Sequence, residues 1–118
     1  MAYVDGYVLP VPEANRDSYT ELALKTATKL RTAGATRVVE CWAQDVPHGT
    51  TTDFYRATRA EEGETVVLAW VTWPDKSTRD NGWAAMMADP EMEGLPMPFD
   101  TKRMFWGGFE PIVDLGEA

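Results

Sequence analysis

Thiol and imidazole chemistry are nearly absent from this chain. Its 118 residues include one cysteine and one histidine. Cys41 alone cannot close an intrachain disulfide, so the fold must rest on its apolar core. Basic residues are scarce as well. Eleven Lys and Arg face 19 Asp and Glu, a formal net charge of −8. Such a surface repels phosphate backbones, and Lys102-Arg103 is the one adjacent basic pair, so no nucleic-acid partner is expected. Long apolar runs are missing, which excludes a membrane-spanning helix. The start, Met1-Ala2-Tyr3-Val4-Asp5, puts a charge where a secretion leader needs apolar residues. The expectation is a cytoplasmic protein in a reducing compartment, with no membrane partner.

The remaining composition is that of a globular protein: 44% apolar and 25% charged residues. Length and composition suit one domain over residues 1–118. No linker, repeat or low-complexity segment interrupts it.

Hydrophobic spacing divides the chain. Tyr3 to Val11 alternates as a strand, with Val4, Gly6 and Val8 on one side and Tyr3, Asp5, Tyr7 and Leu9 on the other. From Glu13 the period becomes helical: Tyr19, Leu22, Ala23, Leu30 and Ala33 share a face, and Gly34 stops the helix. Thr36 to Gln44 reads as a strand, and Asp45 to Thr52 as a loop. A short helix capped by Thr52 is expected before Ala60. Thr65 to Trp73 is the plainest strand. A helix from Lys76 to Ala88 follows, capped by Asp75 or Ser77 and weakened by Gly82. Lys102 to Val113 reads as the last strand, with Pro111 at an edge or bulge.

The order β-α-β-(short α)-β-α-β specifies an α+β fold, a ferredoxin-like four-stranded antiparallel sheet with two main helices on one face. The expected interior-facing set on the second strand is Val38, Glu40, Trp42 and Gln44, with Val39, Cys41 and Ala43 under the helices. Tyr7, Trp42, Trp70 and Trp106 then fall on the uncovered face. A patch of that size calls for a homodimer whose sheets face each other and enclose a barrel.

The segments Tyr3-Val4-Asp5-Gly6, Val39-Glu40-Cys41-Trp42-Ala43, Asp45-Val46-Pro47, Asp53-Phe54, Met86-Met87, Asp89-Pro90, Met97-Pro98-Phe99-Asp100, Lys102-Arg103-Met104 and Gly107-Gly108-Phe109-Glu110 resemble the YbaA-like bacterial family, domain of unknown function 1428. They span nearly the whole chain in order. The resemblance implies the dimeric α+β barrel architecture, shared with small cofactor-independent monooxygenases. It implies no reaction, since a shared fold is not a shared function.

Three carboxylates are the candidate catalytic groups: Glu40, Asp5 and Glu110. Tyr7, Trp42, Trp70, Trp106 and Arg103 are the candidate pocket lining. Carboxylates gathered in an aromatic cage resist ionisation, which general acid–base chemistry exploits. The competing reading pairs Asp5, Glu40 or Glu110 with Arg37, Lys102 or Arg103 and stitches a dimer together.

Other motifs carry less. His48 sits in a Pro47-Gly49 loop, where a solvated side chain is the ordinary outcome. Asp45, His48 and Asp53 match no recognised metal loop, so no metal is expected. Gly107-Gly108 lacks the spacing of a phosphate loop, and no cofactor motif is present. The five methionines from Met86 to Met104 read as adaptable packing. Asp100 is expected to cap its own backbone amides. The sequence thus points to binding, with or without transformation, of a small aromatic or amphipathic molecule in a dimeric barrel. The alternative is a non-enzymatic homodimeric structural or regulatory protein with a filled barrel.

Overall fold

Antiparallel pairing places β1 (Tyr3–Pro12) at the centre of a four-stranded sheet, between β3 (Glu64–Trp73) and β4 (Phe105–Phe109), with β2 (Arg37–Trp42) beyond β3. The computed structural model describes residues 2–116. Two long helices, α1 (Arg16–Thr32) and α3 (Lys76–Ala88), and a short one, α2 (Phe54–Thr58), complete an α+β architecture. Single 3-10 turns precede α1 at Glu13–Asn15 and β4 at Thr101–Arg103. Among the described residues no helix is long and apolar enough to cross a membrane.

The core lies between the sheet and the long helices. Leu9, Val11, Val67 and Ala69 pack with Tyr19 of α1, and Val71 and Trp73 pack with Leu30, Ala35 and Met86. These strand residues share one parity, so they occupy one face. Gly34, at φ +119°, ends α1 in a conformation that glycine adopts without strain. Lys29 and Asp89, 2.6 Å apart, tie the ends of the two long helices together.

Several boundaries differ from those expected. Pro10 and Pro12 stay inside β1, paired with Val66 and Glu64. They are tolerated because β4 pairs only with Val4 to Val8, so β1 is an edge strand beyond that point. The cap of α2 is Asp53, not Thr52; its carboxylate accepts the Arg56 amide. Asp75 caps α3. β4 is much shorter than Lys102–Val113. Asp100 accepts the Lys102 amide at 3.0 Å, which folds the segment before β4 into a turn.

The assignment of β2's faces is corrected. Val38, Glu40 and Trp42 lie under the helices, and Val39 and Cys41 on the open face. Glu40 stands opposite Ala69, which is fully buried in the core. Tyr7 and Trp42 are therefore on the covered side, packed against the core beside α1. Trp106, opposite Tyr7, shares that side but lies at the sheet edge and is exposed. Of the four aromatics expected on the open face, Trp70 alone is there.

The open face is nonetheless apolar. It carries Val4, Val8, Val39, Cys41, Trp70 and Thr72, with Leu68, Phe105 and Phe109 exposed. Gly6 and Gly107 face each other across β1 and β4, and the Phe109 ring lies beside both.

Candidate functional site

Helical spacing sets one wall of the site. Arg16, Tyr19, Thr20 and Ala23 recur at three- and four-residue intervals on α1, so they share a face. That face meets the covered side of β2, which presents Glu40 and Trp42. Between them is a cleft of about 490 Å³, floored in part by Val67 and bounded by Cys41 at the strand edge. Its volume is in the range of small-molecule sites.

Glu40 is the polar centre. Its Oε2 accepts the Tyr7 hydroxyl at 2.7 Å, and its Oε1 accepts the Tyr19 hydroxyl at 2.5 Å. Burial pushes both phenols well above their ordinary value of 10.0, and the Glu40 charge adds to the effect. The phenols therefore remain donors throughout the usable pH range. Among the described residues no Lys or Arg nitrogen lies within 4 Å of Glu40. An ionised carboxylate offers about four acceptor positions, and two are used here. Phe99 stacks edge-on against Tyr19 with centroids 5.6 Å apart, and Asn15 donates to the Pro98 carbonyl at 2.8 Å. The loop before β4 thus steadies the tyrosine.

Arg16 guards the mouth. Its guanidinium lies 5.3 Å from the centroid of the Trp42 ring. Such stacking fixes a cation while leaving its N–H groups open. Among the described residues no carboxylate lies within salt-bridge distance of it.

Asp5 is a different kind of group. It is 2% exposed and surrounded by donors: Trp73 Nε1 at 2.9 Å, Trp83 Nε1 at 2.8 Å, and Arg79 through Nε and Nη2, the latter at 2.7 Å. The Arg79 guanidinium also lies over the Tyr3 ring, 5.2 Å from its centroid. This constellation fastens α3 to the sheet. The cation it uses is Arg79, not the expected Arg37, Lys102 or Arg103.

The other candidates lie apart. Arg103 grips Glu64 through two nitrogens, at 2.5 and 2.8 Å, and Asp100 at 2.9 Å, clamping the turn before β4 to the start of β3. Trp70 is half-buried on the open face, opposite Gly6. Trp106 and Glu110 are exposed near the far edge. His48 is exposed, stacked on Tyr55 and 3.7 Å from Asp53, whose carboxylate is already engaged in capping α2. Of the expected set, the structure gathers Tyr7, Glu40 and Trp42. It adds Tyr19, expected only as part of the apolar face of the first helix, and Arg16, for which no role was expected. Their spacing of three residues at the border of the α1 apolar stripe is the signal that could have found them.

Residues 2–101 match the family described as "Protein of unknown function (DUF1428)". The chain belongs to this family. It is 52% identical over 116 residues to "Uncharacterized protein YbaA" of Escherichia coli K12, covering 97% of this chain and 99% of that protein. The proteins of the same name from Escherichia coli O157:H7 and Shigella flexneri show the same identity and coverage. The family match reaches the Asp100-Thr101 turn and includes Tyr7, Arg16, Tyr19, Glu40 and Trp42. The expected resemblance is thereby confirmed.

Proposed function

We propose that this DUF1428 chain is a single ferredoxin-like domain that forms a homodimer, with open sheet faces packed together as a dimeric α+β barrel. Each subunit binds a small aromatic or amphipathic molecule in the cleft between α1 and β2. The carrying observation is Glu40, a carboxylate at a cleft, held by two phenols and, among the described residues, given no cation. A carboxylate needed only for packing would resemble Asp5, closed in by a guanidinium and two indoles. Asp5 therefore supports the structural reading for its own part of the molecule. Glu40 supports the ligand reading, and it is the group whose free acceptor positions face whatever binds.

The apolar walls of Ala23, Val67 and Trp42 favour a ligand with a hydrocarbon or aromatic body. The dimer rests on Leu68, Phe105 and Phe109, large apolar side chains exposed on one sheet face.

A protein-observed NMR screen against small aromatic and amphipathic fragments tests the site. Hits should shift the resonances of Thr20, Ala23 and the Trp42 indole. A screen in which no fragment perturbs these residues, or in which all hits map to the open sheet face, overturns the cleft as the binding site.

A further inference from the structure

We infer that the α1–β2 cleft takes a small zwitterion, with an ammonium group against Glu40, a carboxylate against Arg16 and an apolar body between them. This inference rests on the cleft being a ligand site and names the ligand's chemistry. Two independent observations meet in it. Glu40 is a half-buried carboxylate with hydrogen-bond donors and, among the described residues, no cation within salt-bridge distance. Arg16 is a guanidinium with an aromatic platform and, among the described residues, no carboxylate within salt-bridge distance. Both line the same cleft.

The two phenols fix the Glu40 carboxylate in place and occupy one acceptor position on each oxygen. The free positions suit a donor that also brings positive charge, because a charge-assisted hydrogen bond is stronger than a neutral one. A phenol or neutral alcohol would supply only a donor. A free anion would meet Glu40 repulsion as it entered. At the mouth, stacking on Trp42 presents the guanidinium edge of Arg16, a planar fork matched to a carboxylate.

Spacing restricts the ligand further. Trp42 lies two residues from Glu40 on β2, roughly 7 Å along the strand. The charges of the ligand should therefore be separated by four or five methylenes or by one ring, not by the single carbon of an α-amino acid. The body then lies along Trp42, Ala23 and Val67.

Calorimetric titration at low ionic strength with 6-aminohexanoate, hexanoate and hexylamine tests this. The zwitterion should bind the wild type at least about tenfold more tightly than either singly charged analogue. Glu40→Gln should abolish its advantage over hexanoate. Arg16→Gln should abolish its advantage over hexylamine. Because Arg16 is exposed, that variant keeps the test decisive even if Glu40→Gln folds poorly. Equal binding of the zwitterion and either analogue overturns the inference, as does a preference that survives both substitutions. If neutral fragments fill the cleft in the NMR screen while 6-aminohexanoate does not bind, the zwitterion falls and the ligand site stands. If nothing enters the cleft, both fall.

Discussion

A side-chain carbon at position 82 would stand 2.5 Å from Cη2 of Trp73, so Gly82 of α3 lies directly against that indole. The ring has no room to retreat. It is fully buried, and its Nε1 donates to Asp5 at 2.9 Å. Gly82→Ala should gain about 1 kcal/mol in helix propensity. Overpacking against a fixed ring costs about 1–3 kcal/mol and should outweigh it. Urea unfolding is expected to show a lower midpoint for the variant. A higher midpoint would mean that α3 can lift from the sheet.

Asp5→Ala should be among the most damaging single changes in the chain. It takes the buried partner from the Arg79 guanidinium, only 15% exposed, leaving the half-exposed Asp80 at 2.9 Å as its remaining carboxylate, and it leaves two indole N–H groups without acceptors. Removing one member of a buried pair costs about 3–5 kcal/mol. Thermal melts of Asp5→Ala and of the double variant with Arg79→Met check the assignment. The double variant should recover part of the loss, and no recovery would count against the charge as the cause.

Trp42 and Trp73 should respond differently to truncation. Trp73 is fully buried, and its replacement by Ala should cost about 3–5 kcal/mol. Trp42 is half-buried, with a cleft on one side and Arg16 on its ring. Trp42→Ala should cost less than half as much as Trp73→Ala. Comparing the denaturation midpoints of the two variants decides, and equal costs would place Trp42 in the core.

Acid should weaken the clamp between Glu64 and Arg103. Hydrogen bonds from the guanidinium hold the Glu64 carboxyl below its ordinary value of 4.5. The folded state therefore binds fewer protons at this site than the unfolded chain does. Its contribution is complete above about pH 4.5 and declines as pH falls through the folded value. Glu64→Gln should lower the melting temperature at pH 7, and the gap to wild type should narrow below pH 4.5. A gap constant across that range would remove Glu64 as a source of acid sensitivity.

The proposed dimer has a direct readout. Light scattering at micromolar concentration should return about twice the chain mass of 13.2 kDa. Leu68→Lys, on the open face opposite Val8 and Cys41, should return a single chain. A monomeric wild type would sink the shared barrel.

Strand parity explains what the sequence could and could not reveal. β3 is a continuous run of β-favouring residues and β1 alternates, so the extent of β3 and the parity of β1 were legible, but not which side of β1 meets the helices. In β2 the run Val38-Val39-Glu40-Cys41-Trp42 has plausible core residues on both sides. Its face is decided by the Tyr19 hydroxyl on α1, a partner 21 positions away. The Asp5 constellation was illegible for the same reason: Arg79 and Trp83 lie 74 and 78 positions away, and no local pattern connects them. β4 was overextended because β propensity does not register Asp100 folding back on the Lys102 amide. Glu40 was recognisable as a polar residue in an apolar strand, but which groups stand beside it is a property of the assembled fold.

The position of β1 also governs the order in which this molecule can be built. The first strand made is the one that must sit in the middle, paired to Glu64–Trp73 on one side and to Phe105–Phe109 on the other. Its β4 side stays unsatisfied until Phe105–Phe109 has emerged. Loop closure over such separations is slow, and a waiting strand exposes pairing edges. β2 and β3 are nearer in sequence and can pair first, offering β1 a template on one side. Folding of a nascent chain should therefore stall with β2 and β3 joined, and finish only once Phe105–Phe109 is free to pair.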